Sequence, residues 1–123
     1  MVGRTIIDTG PLVAMVRKRD QYHKWALQQS AKLNQPFLTC EAVLSEDWFL
    51  LRDFPNEQEK LLRLLERQDV RVDFELSIEV AAVVELIRRY SNVPMSVADA
   101  CLVRISELHN DCLVFSTDSD FHI

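Results

Sequence analysis

The sequence predicts an α/β protein whose central parallel sheet is covered by helices on both faces. Short apolar stretches of strand length recur along the chain, and stretches with apolar residues at helical spacing separate them. The two types alternate from one end to the other without an internal repeat or a linker. Because parallel strands need a crossover connection, which is usually helical, this order indicates a three-layer α/β/α sandwich.

Four stretches are predicted to be strands. Residues 5–7 form a β-branched run, residues 37–39 a short apolar stretch, and residues 112–115 a longer one. Along residues 70–74, apolar and polar side chains alternate with the period of a strand. We therefore expect a sheet built from four short strands.

Six helices are predicted in the remaining segments. Two of them carry a capping-box pattern, in which a polar residue is followed three positions later by an acid: Asn56 with Glu59, and Ser96 with Asp99. Gly10 and Pro11 fit the entry of the first helix. The other helices are predicted at about residues 20–33, 41–51, from 56 onward, 77–90 and 96–108.

The composition bounds the kind of protein. Hydrophobic residues make up 48% of the 123 residues and charged residues 27%, which indicates one globular domain rather than a disordered chain. With only two glycines and no Gly-rich phosphate motif, a nucleotide-cradling loop is disfavoured. The sequence contains neither a signal-peptide pattern nor an apolar run of membrane length, so we expect a cytoplasmic protein without a membrane partner.

The cysteines and the net charge narrow the choice further. Cys40, Cys101 and Cys112 are widely spaced among apolar residues, as expected of small core residues in a reducing compartment rather than of a zinc site. The net charge of −5 argues against a general nucleic-acid coat protein. An acidic pocket for cations would lower the net charge while basic residues elsewhere still contact phosphate.

Acidic residues follow two of the predicted strands. Asp8 comes directly after residues 5–7, and Asp118 and Asp120 come after residues 112–115. The carboxyl ends of parallel strands lie at one edge of a sheet, where ligands and chemistry collect, so these carboxylates can meet in space. Each also has a structural alternative: Asp8 fits the N-cap of the next helix, and the acids near the end fit a solvated turn.

Glu46 and Asp99 are acids within apolar helical segments. Taken alone, Glu46 fits the solvent face of a helix, and Asp99 fits the first turn of a capped one. Together with the acids after the strands, they would repel one another, and a bound divalent cation removes that repulsion. Oxygen ligands without Cys or His favour Mg²⁺ or Mn²⁺, and such a site suits phosphoryl transfer.

Four segments, taken together, resemble the PIN domain family. They are I-I-D-T-G-P-L-V-A, L-S-E within an apolar helix, S-V-A-D-A and S-T-D-S-D-F, in this order and at these separations. Within the family the chain looks most like bacterial VapC-type toxins and their stand-alone relatives, over nearly its whole length. The resemblance implies one PIN-like domain over residues 1–123 and a metal-dependent endoribonuclease. The chain ends two residues after Phe121, which puts the family's final edge strand in doubt.

The resemblance also implies the site residues. The catalytic carboxylates would be Asp8, Glu46, Asp99 and Asp118. Of these, all but Glu46 would hold Mg²⁺ or Mn²⁺ directly, and Glu46 would complete the site. Supporting residues would be Thr9, Thr117 and Asp120.

Two positions qualify this assignment. Glu41 is a rival for Glu46, but Glu46 is preferred because it follows the family's apolar lead and precedes an aromatic residue, as in L-S-E-D-W. Ser96 stands where many members of the family carry another acid. Neither position removes a member of the acidic set.

Partners follow from the resemblance as well: RNA as substrate, a small antitoxin protein, and a second copy of the chain in a homodimer. Four basic residues near the first motif are candidates for phosphate contacts, although cations at a helix end also suit its dipole: Arg4, Arg17, Lys18 and Arg19. Four aromatic residues are candidates for a protein interface, although such residues are more often core: Trp25, Trp48, Phe49 and Phe54.

Other classes fit less well. A receiver-like signalling domain normally has two acids after its first strand and a lysine after its last, and a phosphatase of the haloacid dehalogenase type needs Asp-x-Asp where Gly10 stands. The serious alternative is a PIN-like binding module with a silent site, whose acids only cap helices. A neighbouring reading frame for a small acidic or DNA-binding protein would favour the toxin.

Overall fold

The structure, a computed structural model, describes residues 3–117 of the chain. Its four strands form one sheet in the order β3-β2-β1-β4, and each neighbouring pair is parallel. The strands are β1 (Arg4–Ile7), β2 (Phe37–Thr39), β3 (Val70–Val72) and β4 (Cys112–Phe115). The predicted parallel sheet is thereby confirmed.

Six helices connect the strands within the described ranges: α1 (Thr9–Val16), α2 (His23–Ser30), α3 (Glu41–Leu50), α4 (Pro55–Glu66), α5 (Leu76–Arg89) and α6 (Val97–Leu108). The path from β1 through β2 to β3 moves in one direction, and the path from β3 to β4 crosses back over the sheet. Since such crossovers are right-handed, α1 to α4 cover one face and α5 and α6 the other. The helix contacts agree, because α1 packs against α2, α3 and α4, whereas α5 packs against α6.

The core lies on both faces of the two central strands. Ile6 and Ile7 of β1 are fully buried, and Phe37 and Leu38 of β2 are each only 1% exposed. A strand covered by helices on both faces has no solvent side, which explains why these runs are apolar at consecutive positions. Thr39, also buried, donates its hydroxyl to the Ile7 carbonyl oxygen at 3.0 Å and so ties β2 to β1.

One capping prediction is wrong. The helix expected to open at Asn56 begins at Pro55, its N-cap is Phe54, and no side chain caps it. Proline is well suited to the first helical position, because its φ is already helical and that position needs no N–H donor. Asn56 therefore lies inside the first turn, and the capping box with Glu59 does not form.

Two predicted boundaries also shift. The second helix begins at His23 rather than near residue 20, because the Asp20 side chain accepts a hydrogen bond from Tyr22 N at 2.8 Å and holds a turn there. The third strand ends at Val72, before Phe74. In the described part of the chain, no helix is long and apolar enough to span a membrane. The question of a fifth strand concerns residues beyond Thr117, outside the described range.

The hairpin of α5 and α6 positions the start of α6. Arg104 of α6 donates from Nε to Glu79 Oε1 of α5 at 2.7 Å, which joins the second half of α6 to the first half of α5. With the short connection between them, the two helices run antiparallel. The end of α5 and the start of α6 consequently lie together, next to Cys40 at the carboxyl end of β2, whose thiol contacts the Ala98 carbonyl oxygen at 4.0 Å.

Candidate active site

The candidate site lies where β1 and β4 end side by side. The strand order reverses at this pair: the chain goes from β1 to β2 on one side of β1, and β4 lies on its other side. The helices before β4 cover the opposite face of the sheet from those that follow β1. In open α/β sheets, ligands bind at such a switch point, outside the carboxyl ends of the strands. Asp8 follows β1 and Ser116 follows β4.

Asp8 is held in one orientation by both strands. Its backbone N–H donates to the Phe115 carbonyl oxygen at 3.0 Å, its Oδ1 accepts from Thr9 N at 2.7 Å, and its Oδ2 accepts from Ser116 Oγ at 2.9 Å. The residue is also the N-cap of α1. Asp8 therefore does cap the helix, as the structural alternative predicted. Its carboxylate is half-buried at the edge of the sheet.

Glu46 reaches the same place from α3. The hydroxyl of Thr9 donates to Glu46 Oε2 at 3.2 Å, so a single residue bridges the two acids Asp8 and Glu46. Glu46 itself is exposed. Its rival Glu41 is an exposed acid in the first turn of the same helix.

Asp47 is a third acid at this point, and the sequence analysis did not select it. The side chain is 0% exposed, and neither carboxylate oxygen has a hydrogen-bond partner among the described residues. Burial, together with the like charges of Glu46 and Asp8, raises the pKa of this carboxyl to about 9. The helical spacing could have indicated that Asp47 is buried, because Val43 and Leu51, four residues before and after it, are apolar and lie on the same face of α3.

Asp99 lies at the same edge but caps its own helix. Its Oδ2 accepts from Ser96 N at 3.1 Å, and its own N–H donates to Ser96 Oγ at 3.0 Å, so the predicted capping box is confirmed. Within residues 3–117, no group of three or more His, Cys, Asp or Glu side chains is arranged to hold a metal ion. Asp118 and Asp120 lie outside the described residues.

Thr117, a predicted supporting residue, packs against the first turn of α1. A Cβ atom added to Gly10 would overlap the Thr117 hydroxyl, so any larger residue there would force the Thr117 side chain to move. The contact fixes the segment after β4 against the helix that Asp8 caps. It also accounts for one of the two glycines in the chain.

The basic residues near the first motif are not at this edge. Arg4 is at the amino end of β1, opposite Cys112, and Asp8 follows the carboxyl end of the same strand. Arg17 follows the last residue of α1, about 12 Å along the helix axis from its start, with its guanidinium 4.3 Å from the Phe54 ring centroid. Lys18 and Arg19 share a depression of about 290 Å³ with it.

Two cations that the sequence did not single out lie on the end of α5 that leads into α6. Arg88 and Arg89 form the last turn of α5, which ends beside the start of α6 and therefore at the edge that carries Asp99. Arg89 is paired with Glu85 at 2.7 Å, and Arg88 is exposed. Only the antiparallel packing of α5 on α6 brings them there, so no local pattern could have indicated it.

Comparison with known proteins agrees with this geometry. The family profile described as "PIN domain" matches residues 5–123. The chain belongs to the PIN domain family. Its structure is similar to the crystal structure of VapC20 from Mycobacterium tuberculosis, a toxin that cleaves the sarcin-ricin loop. The TM-score is 0.69 and the identity 22%, over 93% of this chain and 91% of VapC20. At that identity the likeness establishes the shared fold. No curated protein is significantly similar in sequence to this PIN domain.

Proposed function

We propose that this PIN domain is a metal-dependent endoribonuclease and the toxin of a toxin–antitoxin pair. The observation that carries the proposal is the joining of Asp8 to Glu46 through Thr9 at the carboxyl edge of β1 and β4. Membership of a family of nucleases supports it, and so does the fold shared with VapC20, a toxin that cleaves the sarcin-ricin loop.

The chemistry of the donors fits a hard divalent cation. The acids at this edge offer oxygen atoms only, which Mg²⁺ and Mn²⁺ prefer. Asp47 is buried beside two other acids without a hydrogen-bond partner among the described residues, and a nearby cation would favour the charged form of this carboxyl. In the proposal, Asp8, Asp99 and Asp118 hold the ion and Glu46 completes the site. A bound ion would supply charge stabilisation on the phosphate and a lower pKa for a water molecule.

The residues of this chain would orient the reaction. Thr9 N and Ser116 Oγ fix the two oxygens of Asp8, so that the carboxylate cannot turn away from the edge. Glu46, exposed and steered by the Thr9 hydroxyl, would take a proton from the attacking water. The water oxygen then bonds to phosphorus and the bond from phosphorus to the 3′ oxygen breaks. The leaving 3′ oxygen takes up a proton from solvent, and the products carry a 5′-phosphate and a 3′-hydroxyl.

A groove between α1, α2 and α4 suits the proposed antitoxin. It has a volume of about 310 Å³, and its apolar lining includes Met15, Leu27 and Leu64. Three cations also line it: Lys60 and Arg63 of α4, and Arg67 directly after this helix. This combination suits an acidic amphipathic segment, with its apolar face in the groove and its acids against the rim.

Two further parts of the proposal concern assembly and location. The exposed apolar side chains Leu76, Val80 and Val84 recur every four residues along α5, and a homodimer would cover such a stripe. The three cysteines are free, two of them buried, which suits the reducing cytoplasm.

Cleavage of a labelled single-stranded RNA tests the function. We expect cutting with Mg²⁺ or Mn²⁺, none with chelator, and a loss of at least about 100-fold in Asp8→Asn, because a charged metal ligand is removed while the cap is kept. Circular dichroism and thermal unfolding check that the variant is folded. A folded Asp8→Asn protein with full activity would refute the assignment. Absence of both cleavage and calorimetric metal binding would favour a binding module.

A further inference from the structure

Two aromatic rings beside the candidate site are not part of the core. The rings of Tyr22 and Trp25 meet edge to face, with centroids 6.3 Å apart, and the side chains are 47% and 37% exposed. Ala26 is the buried residue of α2, so burial in the core does not explain why these two positions are aromatic. We call the pair the aromatic shelf.

The aromatic shelf is continuous with the acids. Tyr22, Trp25, Ser116 and Thr117 line one depression of about 310 Å³. Ser116 is also the residue whose hydroxyl donates to Asp8 Oδ2, at 2.9 Å. A molecule that fills the depression therefore contacts Ser116, which is hydrogen-bonded to the Asp8 carboxylate.

The shelf is also fixed in place. The Trp25 ring lies 5.3 Å from the ring of Phe115, which is buried and stands 6.2 Å from Phe37 in turn. At the start of α2, His23 Nδ1 is 2.7 Å from the Ala14 carbonyl oxygen of α1. A rigid, partly exposed aromatic surface loses little conformational entropy when a ligand binds to it.

We propose that the aromatic shelf stacks one nucleobase of the RNA strand, next to the phosphodiester bond at the carboxylates. Every base has a π-face, and exposed aromatic side chains are the usual platform for unpaired bases. Ser116 and Thr117 line the same depression, and the Thr117 hydroxyl is a polar group that could contact a ribose or phosphate there. The inference rests on the proposed function and deepens it, because the substrate is then RNA with an unstacked base at the cut, as in a loop.

Tryptophan fluorescence gives a direct reading of the stacking. The chain has two tryptophans, Trp25 and Trp48, so Trp48→Phe leaves the shelf tryptophan as the only one. We expect saturable quenching of Trp25 by a single-stranded RNA of about ten nucleotides, measured both in chelator and with Mg²⁺. The Trp25→Phe protein, which keeps only Trp48, should show no quenching. Absence of quenching in Trp48→Phe under both conditions would overturn the proposal.

Binding measurements separate stacking from packing. Trp25→Ala should weaken RNA binding by about 5- to 100-fold, and Trp25→Phe should keep most of it. Because Trp25 also contacts Phe115, Tyr22→Ala serves as a second variant that leaves this contact intact. Trp48→Ala is the matched control: this tryptophan is 44% exposed and follows Glu46 by two positions, nearly opposite it around α3. Equal affinities in all four variants would overturn the proposal.

The substrate provides the last arm. An RNA that lacks one base near the cut should bind the wild-type protein more weakly but bind Trp25→Ala unchanged. Saturable quenching without metal-dependent cleavage would contradict the nuclease function but would still support base stacking on the aromatic shelf. Metal-dependent cleavage with the wild-type KM in both Trp25→Ala and Tyr22→Ala would contradict the shelf alone. Quenching by an acidic peptide but not by RNA would show a protein ligand and overturn it.

Discussion

The buried acid Asp47 predicts an unusual dependence of folding stability on pH. Burial raises its pKa from 3.8 to about 9 in the folded protein, whereas the unfolded chain keeps the ordinary value. Between these values the unfolded state binds fewer protons than the folded state, so the free energy of unfolding falls as the pH rises. The slope for one group is about 1.4 kcal/mol per pH unit, which amounts to roughly 4 kcal/mol at pH 7 relative to pH below 3.8.

Asp47→Asn removes this titration and nearly preserves the shape of the side chain. The variant should lose the decline between pH 3.8 and about pH 9, and at pH 7 it should be more stable than the wild type by a few kcal/mol at most, since its amide is buried too. Urea denaturation in chelator measures both curves. Glu41→Gln, an exposed acid on the same helix, is the control and should keep the wild-type slope. Parallel curves for wild type and Asp47→Asn would refute the reasoning.

Two further predictions test the contact between Gly10 of α1 and Thr117, and the contribution of Arg88 to RNA binding. Gly10→Ala should lower the free energy of unfolding by about 1–3 kcal/mol, because its Cβ overlaps the Thr117 hydroxyl, and Thr117→Ala should restore most of the loss in thermal unfolding. Equal effects in both backgrounds would contradict this contact. Arg88→Ala should reduce the salt slope of RNA binding by about 1, whereas Lys32→Ala, just after α2 and before β2, should not. Equal slopes in these two variants would show that Arg88 does not contact phosphate.

The sheet was predictable because its signals are local. Residues 5–7 are β-branched at every position and apolar at Ile6 and Ile7, as suits a strand covered on both faces, and the structure has β1 there with Thr5 and both isoleucines buried. The cap of α6 was predictable for the same reason, since Ser96 and Asp99 satisfy each other within one turn. The start of α4 was not predictable in this way, because both Pro55 and Asn56 favour a helix start. The fixed φ of Pro55 places the start at the proline.

The site was predictable only in part, since its members meet through tertiary contacts. Asp8 follows from the rule for strand ends, and its link to Glu46 through Thr9 matches the expectation that acids of distant segments come together. The burial of Asp47 depends on which face of α3 packs against the rest of the domain, and the wheel of α3 carries apolar residues on several faces. Arg88 depends on how α5 folds back onto α6, which no stretch of sequence specifies. The places of Asp118 and Asp120 remain predictions.

Capping and catalysis were alternative explanations for Asp8 and Asp99, and the geometry makes them compatible. Asp8 is the N-cap of α1 and Asp99 completes the capping box of α6 as its third helical residue, so both carboxylates lie where the helix dipole stabilises their negative charge. At the N-cap position of Asp8, asparagine caps as well as aspartate but carries no charge, and at Asp99 an asparagine side-chain oxygen can still accept from Ser96 N, so Asp→Asn at either position separates the two roles. If capping were the whole function, Asp8→Asn and Asp99→Asn would lose little stability and would bind Mn²⁺ as the wild type does. If the charge serves a metal, both variants keep their unfolding temperature while Mn²⁺ affinity falls by about 10- to 100-fold.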